Sequence, residues 1–394
     1  MSGLLDGIRV LDVSRVLTGP YCSMMLGDLG AEVIKVEIPG RGDDTRHWGP
    51  PFQGGESSYF LSVNRNKKSV TLNLKSPEGR EILMKLVARS DVFLENFAPG
   101  VAARLGIDYE TARAIRPDIV YASISGFGQD GPYRDLPAYD LVVQGMGGIQ
   151  TITGEPGRPP VRVGVAIADI AGGMFAAYAI AAALAHHART GKGQYIDVAL
   201  LDSQLAWLTY MAGYYFANGA EPERAGSKHP QIVPYQAFPT ANGYVNVSVG
   251  NDDIFRRFAT AIGRPELATD ARFETNPRRV ENRGILEPLL EGIFAGRTTS
   301  EWTSVLKAHE VPAGPVYRIG EIDRDPHVVA RGNVLSLEHP TAGKIRQFGP
   351  PIRPRARRPA HTPPPLLGEH TDEVLASLGY TREAVARLRE EGVV

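Results

Sequence analysis

Asp169 is the acid whose setting could support chemistry. It ends an apolar run, Val161 to Ala168 (VRVGVAIA), and stands directly before a long apolar stretch. That spacing predicts an N-cap, where a carboxylate accepts from free backbone N–H groups. Gly172 and Gly173 fall in what would be the first turn, at a cost of ~1 kcal/mol each relative to alanine. Such a cost implies that something comes close to the backbone there. The start of a helix is also its positive end. A carboxylate placed there could attack a carbonyl while the free N–H groups hold the oxyanion that forms. On the residues alone, capping and nucleophilic catalysis both stay open.

A second group is basic. Asn64-Arg65-Asn66-Lys67-Lys68, with Lys75 and Arg104, offers partners for phosphate groups. The competing reading is a solvated turn. Cys22, the single cysteine, falls near a predicted helix start, where a thiolate is favoured, but a small apolar residue packing the helix is the better reading of it. The histidines are scattered, and the His186-His187 pair points to different faces of a helix end, so no metal site is expected. Gly126 to Gly131 (GFGQDG) matches a dinucleotide fingerprint in letters only. Pro132-Tyr133-Arg134-Asp135 follows it where a helix should open, so neither NAD nor FAD is expected. There is no GxSxG elbow and no P-loop.

The elements that must position these residues alternate. Ile8–Val13 reads as a strand, Pro20 suits the first turn of a helix and Gly30 its end, and Ala31–Glu37 reads as a second strand. Further strands are expected at Val70–Leu74, Val92–Leu94, Ile119–Ile124 and Tyr195–Val198. A helix opens at Ser76-Pro77-Glu78 with Ile82, Leu83, Leu86 and Val87 on one face. Strands alternating with helices imply an α/β fold with a parallel sheet. The texture changes near residue 220. A polar, proline-punctuated stretch leads to a hairpin strand at Gly243–Gly250 and helical patterns to about Val311. Residues 349–365 are too rich in proline for a helix and read as an extended strap before a last helix, Thr371–Leu378. The expected division is 1–220 for the first part of a large domain, 221–330 for a small α/β domain, and 331–394 for a return to the large one.

With 394 residues, two domains are a fair expectation. Apolar residues at 43% and charged residues at 22% are ordinary for a globular chain. A net charge of -1 gives no reason to expect nucleic acid or a membrane as partner. The apolar stretch Ile170–Ala185 is shorter than a bilayer span and reads as a buried helix. One cysteine and no visible secretory signal lead to the cytoplasm as the expected location. The mitochondrial matrix is the alternative if a transit peptide has been removed.

LDGIRVLDVSRVLTGPYCSMMLGDLGAEVIKVE, YFLSVNRNKKSVTLNLKSPEG, ENFAPG, SGFGQDGPY, GVAIADIAGG, TGKGQYIDVALLDS and PPPLLGEHT, in this order, resemble the class III CoA-transferases over nearly the whole chain. That family also contains the α-methylacyl-CoA racemases. The pattern is most similar to the succinyl-CoA:dicarboxylate branch, which includes succinate–hydroxymethylglutarate CoA-transferase. The resemblance implies a Rossmann-like large domain and an interlocked homodimer, with acyl-CoA and a free carboxylic acid as substrates. It implies that Asp169 is a covalent nucleophile, passing through a mixed anhydride and an aspartyl-CoA thioester. By matching position, Leu72, Asn73, Leu74, Lys75, Asn96, Phe97, Val101 and Arg104 would bind coenzyme A. Arg15, Leu17, Arg46, Tyr139, Asp140, Gly172 and Gly173 would line the acyl pocket.

Some positions depart from related enzymes. Formyl-CoA transferases carry glutamine where Leu17 stands and arginine where Ile38 stands; Arg41 or Arg65 is the expected substitute for the latter. Racemases place a His-Asp pair at Tyr139-Asp140, and tyrosine is a poor base near neutrality. A dicarboxylate needs a cation for its far end, for which Arg15, Arg46 and Arg162 are candidates. A non-catalytic acyl-CoA binding subunit is the alternative from another class.

Overall fold

The computed structural model describes residues 3–354 and 360–394. By contact the chain forms two compact units. One runs to Ile149 and includes Arg162–Gly213 and the chain from Ala330; the other comprises Gln150–Val161 and Tyr214–Val329.

The first unit is built on six parallel strands: β1 (Arg9–Asp12), β2 (Glu32–Glu37), β3 (Lys67–Thr71), β4 (Val92–Glu95), β5 (Val120–Ser125) and β6 (Gln194–Ala199). Their order is β3-β2-β1-β4-β5-β6. Helix α1 (Thr18–Asp28) follows β1, α2 (Pro77–Val87) follows β3, and α3 (Asp140–Met146) and α4 (Ile167–Thr190) lie between β5 and β6. Both faces of the sheet are buried over its first five strands, as a parallel sheet requires, while the edge strand β6 is exposed over much of its length. Val10, Val33, Val92, Leu94 and Val120 pack under α1 and α4 with Cys22, Leu26, Ala176 and Ile180. Leu11, Ile34, Val70, Phe93 and Tyr121 face the opposite side, against Ile82, Leu83 and Leu86 of α2.

Strand order reverses between β1 and β4, which opens a crevice at their carboxyl ends where ligands bind in such folds. The third strand begins three residues earlier than the alternation predicts, because Lys67 and Lys68 find acid partners and can sit within the sheet. Leu72–Lys75 are thereby moved off the strand into the turn at its carboxyl end. The loop Gly126–Gly131 does not open a helix; the next one, α3, starts at Asp140.

Helix α4 has 24 residues, starting before Ile170 and ending after Ala185, and is long and apolar enough by composition to cross a membrane. In the fold its Ala168, Ala171, Ala176, Ala177, Ile180 and Ala183 are buried. Residues 349–354 and 360–365 carry neither helix nor strand, and 355–359 of the expected strap lie outside the described residues. The chain does not end on one helix after the strap. Thr371–Ser377 is followed by Arg382–Glu390, whose Val385 and Leu388, with the terminal Val393 and Val394, complete the core beside α2.

The second unit has a three-stranded antiparallel sheet of Tyr235–Thr240, Gly243–Ser248 and Ala313–Pro315. Helices Asp252–Ala261, Arg283–Phe294 and Thr299–Ala308 bury Phe255, Phe258, Leu290, Phe294, Trp302 and Leu306 against Phe238, Val245 and Val247.

Candidate active site

At the switch point a cleft of about 520 Å³ opens. Its walls include Val13, Arg15, Ile38, Arg41, Leu72, Asn73, Leu74, Lys75, Phe97 and Val101. Six of the eight residues expected to bind coenzyme A thus converge from two segments, the turn after β3 and the stretch after β4. The other two lie elsewhere. Asn96 is a staple: its carboxamide accepts from the Arg15 N–H and donates to the Arg15 carbonyl, both at 2.8 Å, and so ties the β1 loop to the β4 loop. Arg104 is exposed on the short helix Val101–Leu105, outside the cleft lining.

Of the cations at the cleft, Lys75 is exposed, Arg41 pairs with Asp44 at 2.8 Å, and Arg15 lies 3.6 Å from Asp44 and over the Phe97 ring. Arg65 is not available to replace the arginine missing at Ile38, because Asp28 holds it in a buried pair. Lys67 is equally committed, to Asp12, Asn64 and the Pro20 carbonyl, and Lys68 bonds to Glu32 and Glu373. The basic segment 64–68 therefore serves the fold, since a charge can be buried only with partners.

The loop from β1 to α1 runs from the cleft to Asp169. Val13 and Arg15 line the cleft, and the Thr18 hydroxyl donates to Oδ1 of Asp169. Three residues span at most about 10 Å of chain, which bounds the distance from cleft wall to carboxylate partner. The loop is held tightly from below. Lys35, with no exposure, bonds to the Ser14 carbonyl and to Asp43, each at 2.9 Å. Asp43 in turn accepts from the Val16 N–H, and Asp12 accepts from Ser14 and Ser23. Val16 takes φ +70°, a left-handed conformation costly for a β-branched residue, and these contacts keep it there.

Asp169 is not the N-cap. Helix α4 starts at Ile167, so Asp169 is its third residue. The cap comes from α3 instead: Asp140 accepts from the Ala168 N–H at 2.9 Å and from the Gln144 carboxamide at 2.7 Å. This occupies Asp140, which is buried, whereas its neighbour Tyr139 is 70% exposed. Burial of the Asp169 carboxyl raises its pKa to about 6; the Thr18 hydrogen bond opposes the rise and the charge of Asp140 adds to it.

Gly172 and Gly173 have their close approach, but neighbouring helices make it: Thr18 of α1 faces both, and Leu200 of the helix Leu200–Trp207 comes nearer still to Gly172. A Cβ on Gly172 would lie 2.5 Å from a Leu200 methyl and 3.1 Å from the Thr18 methyl. One on Gly173 would lie 2.7 Å from the Thr18 carbonyl oxygen. Both glycines are buried, so they set the distance between α1 and α4 rather than facing an open pocket. Leu17 is buried just before Thr18.

Arg46 is also committed. It forms a two-pronged bond to Glu37 at 2.7 and 2.8 Å, lies over the Phe60 ring at 3.7 Å, and is buried. Its partner is Glu37, not the adjacent Asp43 or Asp44. Arg162, in contrast, is exposed. Cys22 is fully buried and its thiol is pushed far up, which suits packing and not reactivity.

Thr18, Tyr59 and Lys35 were not among the residues expected at the site. Burial pushes the Tyr59 hydroxyl up to about 12, with further contributions from the charges of Asp169, Asp140 and Asp43, and its ring meets Trp48 edge-on. Lys35 left a sequence signal, a lysine inside the apolar strand EVIKVE, which demands a buried counter-charge. Among the described residues, no group of three or more His, Cys, Asp or Glu could hold a metal ion.

A carboxylate with a raised pKa, next to a cleft with cations at its rim, fits acyl transfer to and from an anionic carrier. Residues 5–371 match the family described as CoA-transferase family III, and the chain belongs to it. It is 45% identical over 392 residues to a human succinyl-CoA:glutarate CoA-transferase, covering 99% of this chain and 90% of that protein. It is 43% identical over 382 residues to a succinate–glutarate CoA-transferase of Agrobacterium fabrum, covering 95% of each. A crystal structure of a CAIB/BAIF family protein from Brucella suis superposes with a TM-score of 0.87 at 42% identity, over 96% of this chain and all of that one.

Proposed function

We propose that this chain transfers coenzyme A from succinyl-CoA to a C4–C6 dicarboxylic acid, with Asp169 as the nucleophile. The observation that carries the mechanism is the Asp169 carboxylate, tied through Thr18 to the loop that also walls the cleft. The relatives that act on succinyl-CoA and glutarate support the substrate pair.

Coenzyme A would lie in the cleft, its phosphates near Lys75 and Arg41 and its apolar parts against Leu72, Leu74, Phe97 and Val101. Asp169 attacks the donor thioester, giving a mixed anhydride and CoA thiolate. The thiolate returns to form an aspartyl-CoA thioester and releases succinate; the acceptor acid then reverses the sequence. Covalent catalysis divides one difficult exchange into steps of similar energy. At neutral pH a carboxyl that titrates near 6 is mostly ionised, yet poorly solvated enough to be reactive. Because Glu37 engages Arg46, Arg15 and Arg162 are the arginines left for the far carboxylate of the acceptor.

A homodimer belongs to this reading. Leu141, Val142, Met146, Met174, Tyr178 and Leu205 of the first unit are exposed, and a second copy would cover such an apolar surface. A racemase would need a base at positions 139 and 140, and there Asp140 is engaged as a helix cap.

The test is an acceptor screen: purified protein with succinyl-CoA and single acids, reading each new CoA ester by mass. Glutarate and its C4–C6 neighbours are expected to exceed monocarboxylates of equal length by at least about tenfold in kcat/KM, as one lost charged contact would give. Faster transfer to a monocarboxylate would contradict the assignment. Lys75→Ala is expected to raise KM for succinyl-CoA about tenfold with kcat little changed, because a phosphate contact is the same in ground and transition states. An unchanged KM would remove Lys75 from the binding site.

A further inference from the structure

Helix α1 has no side-chain cap, although a threonine occupies its first position. The Thr18 hydroxyl is turned instead onto Oδ1 of Asp169. We propose that Thr18 is a catalytic residue: it holds Oδ1 and donates to the oxyanion that forms on this atom whenever Cγ of Asp169 is attacked. The inference deepens the covalent reading above and rests on it.

The movement of electrons shows why one fixed donor would serve twice. A lone pair of Oδ2 forms a bond to the thioester carbon, and the C–S pair leaves with CoA thiolate. Oδ1 is now the carbonyl oxygen of an anhydride. Sulfur then adds to Cγ, and the Cγ–Oδ1 π pair moves onto Oδ1. As the intermediate collapses, the Cγ–Oδ2 bond breaks and the donor acid departs as a carboxylate carrying Oδ2. The acceptor carboxylate next adds to Cγ of the aspartyl thioester, again placing charge on Oδ1, and thiolate is expelled. Finally the thiolate attacks the acceptor's acyl carbon and Asp169 leaves as a carboxylate. Two of these additions charge Oδ1, and no proton changes hands, so a positioned hydroxyl is the appropriate aid.

The surroundings supply the rigidity that such a donor needs. Thr18 is 4% exposed. Its methyl faces Gly172, where an added Cβ would lie 3.1 Å away, and its carbonyl oxygen faces Gly173. A β-branched side chain has few χ1 options, so seating the methyl on the glycine turns the hydroxyl toward Asp169. Below it, Val16 is bonded to Asp43 and Ser14 to Lys35 and Asp12, which fixes the loop. The hydrogen bond also favours the ionised carboxylate, opposing the rise that burial causes.

Thr18→Val keeps the shape and removes the donor; Thr18→Ser keeps the donor and loosens it. For Thr18→Val, kcat is expected to fall about 10²–10³-fold, the loss typical of one oxyanion donor. Its KM for succinyl-CoA should stay within about threefold, since the contact strengthens only in the transition state. The acid limb of its kcat/KM profile should move to higher pH. Thr18→Ser should retain about a tenth of kcat or more. Equal losses in both variants, or a Thr18→Val kcat within about threefold of wild type, would overturn the proposal. Hydroxylamine separates the two layers. Asp169 hydroxamate on the wild type, together with an unimpaired Thr18→Val, removes Thr18 alone. Turnover by the wild type with no hydroxamate removes the covalent reading and Thr18 with it.

Discussion

Asp169→Asn is expected to lower CoA transfer by about 10⁴-fold or more, as removal of a covalent nucleophile does, and yet to make the protein more stable at pH 8. The two effects share one cause. The carboxyl has a folded pKa of about 6, above its ordinary 3.8, chiefly because burial penalises the charge. The folded state therefore holds the proton more tightly than the unfolded state. For a raised acid, stability is greatest at low pH and is lost as pH rises through the folded value. Near pH 8 the ionised group costs up to about 3 kcal/mol, because a tenfold change in proton affinity is worth about 1.36 kcal/mol. Asparagine carries no charge and keeps an oxygen for Thr18. The variant should gain about 1–3 kcal/mol at pH 8 in chemical denaturation, and the gain should vanish near pH 4. A variant less stable than wild type at pH 8 would show that the carboxylate is structural.

Arg46→Leu is expected to act the other way, destabilising by about 3–5 kcal/mol while leaving the acceptor KM nearly unchanged. Glu37 and Arg46 are both buried, and removing the guanidinium strands a carboxylate in the interior. Burial alone would raise the Glu37 pKa, but Arg46 and then Lys35 outweigh it and hold the group below its ordinary 4.5. For a depressed acid, the stabilisation exists above the ordinary value and is lost as pH falls through the folded one. The gap between variant and wild type should therefore be widest near neutrality and narrow below about pH 4.5. Replacing Glu37 by leucine as well should recover part of the loss, since no lone charge then remains. A large rise in acceptor KM without loss of stability would return Arg46 to the acyl pocket.

Local signals were enough for much of the frame. Alternating apolar runs located the strands, and Ser76-Pro77-Glu78 marked the start of α2, whose buried Ile82, Leu83, Leu86 and Val87 lie where the periodicity put them. Motif order led to Asp169 and to the six residues that share the cleft. What escaped depends on pairings remote in the chain. Thr18 reaches a partner 151 positions away, and no pattern within α1 announces that. Asp140 caps a helix 28 residues on, so Asp169 moved from the cap into the first turn. Gly172 and Gly173 correctly signalled a close approach, but sequence could not say whether ligand or helix makes it. Arg46 offered a cation of the right shape, and only the fold reveals that Glu37 uses it.

The central claim is that acyl groups pass through Asp169. The direct measurement is peptide mass after wild type and Asp169→Ala are mixed with succinyl-CoA and hydroxylamine. Covalent passage through this residue predicts a hydroxamate on the wild-type peptide that carries Asp169, and none on the variant. An unmodified wild-type peptide under conditions where CoA transfer to glutarate proceeds would contradict it.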